Sequence, residues 1–444
     1  MIRQFGRQQI SAMMLTTAAM LAFAGPASAS TGATTLPAIF PTPVSMTSGQ
    51  GTITLGRSVV LVAAPGTDPA TTELVRTILT SAGVETITTA RRVPTAPDRP
   101  HIVIGGSDSA LVRNALALGK AVPDTQAEGY TIASVAIGYS GVITLAGHDA
   151  DGLFHAAQTF RQLVKRAAVP ALVIQDHPAM PIRGTIEGFY GAPWTMTDRT
   201  RHLDFLGSMK ANTYVYSPKD DPFARDRWRE AYPAATLSSL GTLVATARRN
   251  HIDFVYAVSP GPSVCFSDPA DAQALERKFE ALRSIGVRSF YVALDDIEYA
   301  KWNCDKVEAA FGASGPEAAG VAQARLLNAV QTYLLAEDPK SRPLIMVPTE
   351  YYDAKETPYK AALRKHLDPR VVVQWTGTAT PRSSATRWPA PVPSATRIPK
   401  AIRSPRSRRA TAASSRWRAK TRTDCSMPSI RSASSRHARS SPRW

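Results

Sequence analysis

Two neighbouring carboxylates end one of the most apolar stretches of this chain. In SFYVALDDIEY (289–299), the apolar run stops at Asp295 and Asp296. Side chains of a strand alternate between its faces, but where the strand ends both acids can face one opening. Adjacent carboxylates repel when both are ionised, so the pKa of one is raised. One can then donate a proton while the other stays an anion, as glycoside hydrolysis requires.

This acid pair is also open to other interpretations. A metal site or two solvated loop acids would give the same residues. A second pair, Asp220 and Asp221, shows that adjacent acids are no rarity in this chain. The ends of the neighbouring strands therefore have to be considered together with Asp295 and Asp296.

Polar and aromatic side chains follow the other predicted strands as well, in RGTIEGFYGAPWT (183–195), YSPKDDP (216–222) and VPTEYYD (347–353). Gly188 allows a ligand to approach the backbone closely. Tyr190 offers a flat apolar surface for a sugar ring. Lys219 and Tyr351 add donors and acceptors. If these strands are parallel and adjacent, such residues collect at one rim.

The strand pattern favours a parallel sheet covered by helices. The candidates are GTIEGFY (184–190), TYVYS (213–217), DFVYAVS (253–259), SFYVAL (289–294), LIMVP (344–348) and VVVQW (371–375), and helical stretches separate them. Nearly continuous apolar runs are typical of strands buried on both faces. We predict six of the eight strands of a (β/α)8 TIM-type barrel, with its site at the strands' C-terminal ends. A doubly wound sheet is the alternative, but no G-x-G-x-x-G or Walker loop supports it.

A smaller α/β domain is predicted before the barrel, over residues 36–178, after a Thr/Pro/Gly-rich leader that extends to about Gln50. Its three histidines, His148, His155 and His177, lack metal-ligand spacing. No metal site and no organic cofactor are predicted. The barrel is expected to span residues 181–377, and the chemistry is expected there.

The charge of the chain is concentrated after the barrel pattern. Residues 378–444 carry +15 of the formal net charge of +17, and they contain no Leu, Phe, Tyr, Gly, Asn, Gln or Glu. This composition cannot bury a core, so we predict a disordered basic tail. A reading-frame change near residue 377 is our preferred hypothesis, and a genuine tail is the alternative. The tail lacks aromatic–basic modules, so no specific nucleic-acid partner is predicted.

The N-terminus predicts export. Arg3 and Arg7 precede a mostly apolar stretch, and Ala27-Ser28-Ala29 fits a signal-peptide cleavage site. Residues 1–29 are therefore interpreted as a signal peptide, with a membrane anchor as the alternative, and the mature protein is expected to be extracellular and free of the membrane. An exported chain permits disulfides, and Cys265 with Cys304 is a possible pair.

The motifs RGTIEGFYGAPWT, NTYVYSPKDDPFARDRWRE, YVALDDI and PTEYY, in this order, resemble glycoside hydrolase family 84. That family includes bacterial β-N-acetylglucosaminidases and eukaryotic O-GlcNAcases. The resemblance runs from about Leu36 to Gly377 and includes the small N-terminal domain. It implies a partner that is a glycan or glycoconjugate containing N-acetylglucosamine.

The resemblance also implies a retaining mechanism in which the substrate's own acetamido oxygen is the nucleophile. Asp295 would orient the acetamido N–H, and Asp296 would protonate the leaving oxygen and then activate water. Tyr351 would bind near the acetamido oxygen, and Gly188 and Lys219 would bind sugar hydroxyls. The family's Trp-Asp-Asn segment does not occur here, and the pattern ends at VVVQWTG (371–377). Part of the family's sugar contacts is therefore expected to be missing.

Overall fold

The computed structural model describes residues 36–376 except residues 296, 340 and 354. The predicted signal peptide and basic tail lie outside the described residues. Ten elements form the first part of the described chain: β1 (Ser45–Thr54), β2 (Ser58–Ala63), α1 (Pro69–Ser81), β3 (Thr86–Thr89), β4 (His101–Gly106), α2 (Ala110–Leu118), β5 (Tyr130–Ile137), β6 (Ser140–Gly147), α3 (Ala150–Leu163) and β7 (Ala168–Asp176).

The second part alternates strands with helices. Its elements are β8 (Gly184–Glu187), α4 (Met196–Ser208), β9 (Thr213–Tyr216), α5 (Ala234–Arg249), β10 (Asp253–Val258), α6 (Pro269–Ser284), β11 (Ser289–Ala293), α7 (Asp305–Phe311), α8 (Pro316–Glu337), β12 (Ile345–Val347), α9 (Pro358–His366) and β13 (Val372–Val373). Among the described residues no helix is long and apolar enough to cross a membrane.

The first sheet has seven strands in the order β1-β7-β5-β6-β4-β2-β3. Strands β2, β3, β4 and β6 pair in parallel, whereas β5 and β7 join antiparallel. The prediction that the leader extends to about Gln50 is wrong, because β1 begins at Ser45 and pairs with β7. The polar sequence SMTSGQGTIT hid this strand, since most of its side chains are exposed, as expected at a sheet edge.

The second sheet, here called the half-barrel, has six parallel strands in the order β13-β12-β11-β10-β9-β8. It confirms the predicted α/β class and the incomplete TIM-type barrel. Its strands alternate between two cores, as a strand period of two requires. Small or branched side chains and one tyrosine fill the inner face, namely Val215, Val255, Ala257, Tyr291, Ala293 and Val347. The outward side chains pack against helices α4, α5, α6, α8 and α9 in a larger cluster.

Helix ends follow the signals in the sequence. The carboxylate of Asp268 caps α6 by accepting the backbone N–H of Ala270 at 3.0 Å, and Pro269 occupies the first turn. Gly286, two residues beyond the helix, has a φ of 100°, a conformation that favours glycine. This turn delivers the chain directly into β11, the strand that ends at Asp295.

Candidate active site

Asp295 follows β11 on the side of the barrel interior. Tyr291 and Ala293 belong to the inner cluster, whereas Phe290, Val292 and Leu294 pack outward. Asp295 continues the inner series and is half-buried. Burial raises the pKa of Tyr291 far above its ordinary value, and the negative charge of Asp295 raises it further. The carboxylate therefore lies near the interior, whereas Asp296 lies outside the described residues.

A hydrogen-bond network fixes the strand end that precedes the aspartates. The hydroxyl of Thr349, just after β12, donates to the carbonyl oxygen of Leu294 at 2.8 Å. The side-chain amide of Gln323 on α8 donates to the same hydroxyl at 2.9 Å. The backbone N–H of Thr349 donates to the Tyr359 hydroxyl at 3.0 Å, and that hydroxyl donates to Gln323 Oε1. Two helices thus hold the peptide immediately before Asp295.

Tyr351 lines an open cavity of about 550 Å³, here called the Tyr351 cavity. Its walls come from the loop after the aspartates and from the end of β12, namely Ile297, Glu298, Tyr299, Ala300, Thr349, Glu350, Tyr351 and Tyr352. Tyr351 also packs against the inner cluster of the half-barrel. The predicted acetamido-binding tyrosine therefore shares a cavity with residues directly downstream of Asp296.

Glu350 supports this cavity from within the protein. It is buried and accepts a hydrogen bond from the Tyr299 hydroxyl at 2.7 Å and another from the Thr357 hydroxyl. The hydrogen bond with Glu350 is the larger cause and partial burial the smaller cause that raise the pKa of Tyr299 to about 12. Both acceptor oxygens are used, so Glu350 connects the loop after the aspartates to the start of α9.

Gly188, Tyr190 and Lys219 lie at the ends of β8 and β9. A methyl group added at Gly188 would meet only Ile186 Cγ2 within 4 Å, at 3.4 Å, so the space beside this backbone is open to a ligand. The Lys219 ammonium lies 5.3 Å from the centre of the Tyr190 ring, and that ring is 76% exposed. The structure thus brings Lys219 and Tyr190 together with an accessible aromatic face.

All of these positions follow parallel strands of one sheet. Their carboxyl ends lie at the same edge of the half-barrel, with Lys219 and Tyr190 towards β8 and Tyr351 towards β12. Sequence reasoning missed Gln323, Tyr359 and Trp302. The first two come from α8 and α9 and reach the site only through the fold, so no local signal indicated them. Trp302 lies six residues after Asp296, and that proximity was a usable signal.

Cys265 and Cys304 form a disulfide, with their Cα atoms 5.7 Å apart. The bond joins the loop after β10 to the loop that follows the aspartates. It therefore holds the far end of the segment that lines the Tyr351 cavity. Within residues 36–376, the three gaps excepted, no group of three or more His, Cys, Asp or Glu side chains is arranged to hold a metal ion.

Comparison with known families identifies this arrangement. Residues 183–387 match the β-N-acetylglucosaminidase family, and residues 36–177 match the second domain of glycosyl hydrolase family 20. The solved structure of CpGH84B superposes with a TM-score of 0.64 and 29% identity, over 76% of this chain and 56% of that chain. The chain is therefore similar to members of glycoside hydrolase family 84.

Other relatives match over different shares of the chain. CpGH84D superposes with a TM-score of 0.64 at 24% identity, over 78% of this chain and 56% of that chain, which supports the fold alone. The mouse and rat Protein O-GlcNAcases are 35% identical over 201 residues. Those residues are 44% of this chain but only 21% of each of the two relatives.

Proposed function

We propose that the chain is a retaining β-N-acetylglucosaminidase that removes terminal β-linked N-acetylglucosamine by substrate-assisted catalysis. The observation that carries this proposal is the position of Asp295 on the interior side of β11, with Tyr351 and its cavity on the adjacent strand. The similarity to the β-N-acetylglucosaminidase family and to family 84 structures supports the substrate class. The activity of this chain is our proposal, because the chain spans only part of each relative.

The acetamido carbonyl oxygen of the substrate attacks the anomeric carbon in the first step, and an oxazoline forms. The carboxylate of Asp295 accepts a hydrogen bond from the acetamido N–H, which increases the nucleophilicity of the carbonyl oxygen. Asp296 gives its proton to the leaving oxygen as the glycosidic bond breaks. In the second step Asp296 takes a proton from water, and the water opens the oxazoline with net retention. The two acids serve one face, which accounts for their adjacency.

The remaining predicted residues bind the sugar. Tyr190 presents an exposed ring for an apolar sugar face, with Lys219 close to that ring. Lys219 and the backbone at Gly188 bind hydroxyls, and the Tyr351 hydroxyl binds near the acetamido oxygen. These groups depend on β8, β9 and β12, so binding requires the half-barrel to stay intact.

We propose that the protein acts outside the cell after removal of residues 1–29. The charged and apolar N-terminal pattern supports this location. The bond between Cys265 and Cys304 fits it as well, because disulfides persist in oxidising compartments. Fractionation of the source cells, followed by sequencing of the mature N-terminus, tests the location directly.

Hydrolysis of para-nitrophenyl β-N-acetylglucosaminide by the purified chain tests the activity. We expect measurable turnover, and we expect Asp296→Ala to abolish it. Retained turnover in that variant would overturn the assignment of the acid. No turnover in a cooperatively folded wild type would favour the alternative, a catalytically inert protein that at most binds amino sugars.

A further inference from the structure

The segment from Ile297 to Cys304 is held at its far end by several contacts. Besides the disulfide to Cys265, the side-chain amide of Asn303 donates to the carbonyl oxygens of Gly261 and Val264, at 2.8 and 3.0 Å. The indole N–H of Trp302 donates to the Gly312 carbonyl at 3.0 Å. A segment fixed in this way presents a defined surface beside the predicted acid.

A second cavity, of about 440 Å³, lies between this segment and the loop after β10. We call it the Trp302 cavity. Its walls are formed by Gly261, Pro262, Ile297, Glu298, Lys301 and Trp302, together with Asn303. It shares Ile297 and Glu298 with the Tyr351 cavity, so the two cavities flank the residues that directly follow Asp296.

Gly261 sets the shape of the Trp302 cavity. A methyl group added there would lie 2.4 Å from Ile297 Cγ2, which is closer than side chains approach each other. The loop after β10 therefore contacts the start of the segment only because residue 261 is glycine. The close contact brings the cavity up against the residues beside the acid.

The chemistry of the walls favours a sugar. Trp302, Pro262 and Ile297 offer apolar and aromatic surface, while the exposed Glu298 and Lys301 offer an acceptor and a donor of opposite charge. Opposite charges do not favour a strongly charged ligand. An aromatic wall with polar groups at the rim suits a ring that has apolar faces and hydroxyl edges.

We propose that the Trp302 cavity is the subsite for the leaving group, and that it binds the sugar to which N-acetylglucosamine is attached. This proposal rests on the proposed function, because the leaving group is defined by the acid at Asp296. The sugar ring would contact Trp302, and Glu298 and Lys301 would bind its hydroxyls. The enzyme would then act on glycan chains in preference to simple glycosides.

The test compares para-nitrophenyl β-N-acetylglucosaminide with the disaccharide N,N′-diacetylchitobiose. We expect Trp302→Ala to lower kcat/KM for the disaccharide about 10-fold or more, and for the aryl glycoside by a clearly smaller factor, because nitrophenolate leaves readily without binding to a subsite. Trp302→Phe should keep most disaccharide activity, because it keeps a ring while it removes the hydrogen bond to Gly312. Lys301→Met should weaken disaccharide hydrolysis. Lys306→Met is the control and should not weaken it, because Lys306 is an exposed lysine whose ammonium pairs with Asp268 at 2.9 Å.

A binding measurement keeps this test independent of turnover. In the Asp296→Asn background, calorimetric titration should show the disaccharide binding about 10-fold more tightly than N-acetylglucosamine, and Trp302→Ala should remove the difference. No difference between the two sugars, or equal losses on both substrates, overturns the subsite. If Trp302→Ala lowers kcat/KM only for a glycosylated peptide, the leaving group that the cavity binds is a peptide, and the choice of a sugar is overturned. An inactive wild type that shows the binding difference overturns the proposed function alone.

Discussion

At the residue scale, Thr349 fixes the peptide that leads into Asp295. Its hydroxyl is the only part of the side chain that bonds, and it joins the Leu294 carbonyl to Gln323. The carbonyl belongs to the peptide that leads into Asp295. The position of that carboxylate therefore depends on a threonine from the next strand, which the sequence places 54 residues away.

Thr349→Val keeps the shape of the side chain and removes these hydrogen bonds. We expect kcat for the aryl glycoside to fall about 10- to 100-fold with a smaller change in KM, because small displacements of catalytic groups are costly. Steady-state kinetics check this expectation. Thr332→Val is the control, since the Thr332 hydroxyl is exposed and bonds only to the Asn328 carbonyl of its own helix. Equal kinetics for the two variants would contradict the positioning role.

At the scale of elements, β8 is joined to α4 by a buried ion pair. Arg199 donates to both carboxylate oxygens of Glu187, at 2.7 to 3.1 Å, and the Tyr214 hydroxyl donates to the same carboxylate. The two side chains are 9% and 2% exposed. This contact holds the edge strand that directly precedes Gly188.

Glu187→Ala should lower the free energy of unfolding by about 3–5 kcal/mol, because it leaves the Arg199 guanidinium buried without its partner. The control is Glu85→Ala, since Glu85 pairs with Arg57 where both side chains are largely exposed, and its loss should cost less than about 1 kcal/mol. Urea unfolding measures both values. Similar losses in the two variants would show that the buried pair does not hold β8 in place.

The disulfide is the second feature at this scale that can be tested. It closes a loop with a sequence separation of 39 residues. Loop-closure entropy predicts that Cys304→Ser lowers the free energy of unfolding by about 3–4 kcal/mol. The same comparison after reduction of the wild type should give a similar loss. Unchanged stability in both experiments would mean that the bond does not constrain the unfolded chain.

The sequence predicted the strands with a clear apolar run and missed strands with mostly exposed residues or with a proline. All six strands of the half-barrel were predicted, because apolar residues recur in each and helical stretches separate them, although β8 is exposed at Gly184 and Ile186. Strand β1 was missed because its exposed residues read as a leader. Strand β7, AVPALVIQD, carries a proline that weakens a strand signal.

The sequence indicated those residues of the candidate site that directly follow a predicted strand. Asp295 could be placed because a strand alternates and because two acids follow it directly. The partners of Thr349 could not be found in this way, since Gln323 and Tyr359 lie on helices whose faces are set by packing. Glu350 lies in the predicted strand end VPTEYYD, but both of its carboxylate oxygens accept hydrogen bonds from hydroxyls within the protein.

At the scale of the whole molecule, charged groups join the first sheet to the half-barrel. His251, in the turn after α5, lies between Asp151 of α3 at 2.7 Å and Asp68, the cap of α1, at 3.2 Å. Its ring also stacks on Phe154 with the centroids 4.4 Å apart. Burial disfavours the charged imidazolium, but the hydrogen bonds and charges of Asp151 and Asp68 outweigh it and raise the pKa of His251.

This raised pKa makes the stability depend on pH. The contribution of His251 is fully present below its ordinary pKa of 6.5 and is lost as pH rises through the higher folded-state value. We expect the free energy of unfolding to fall between pH 6 and pH 9 in the wild type, and to fall less in His251→Asn. Asparagine is the suitable replacement, because residue 251 has a φ of 54°. Identical pH profiles would contradict this role of His251.

The central claim is that the substrate's acetamido oxygen is the nucleophile and that the aspartates orient it and move a proton. The most direct measurement is kcat/KM for aryl glycosides whose N-acetyl group carries an increasing number of fluorine atoms, because fluorine withdraws electrons from the carbonyl oxygen. We predict a steep fall in rate with each added fluorine. A rate that does not change across the series would mean that the oxygen does not attack, and would contradict the mechanism.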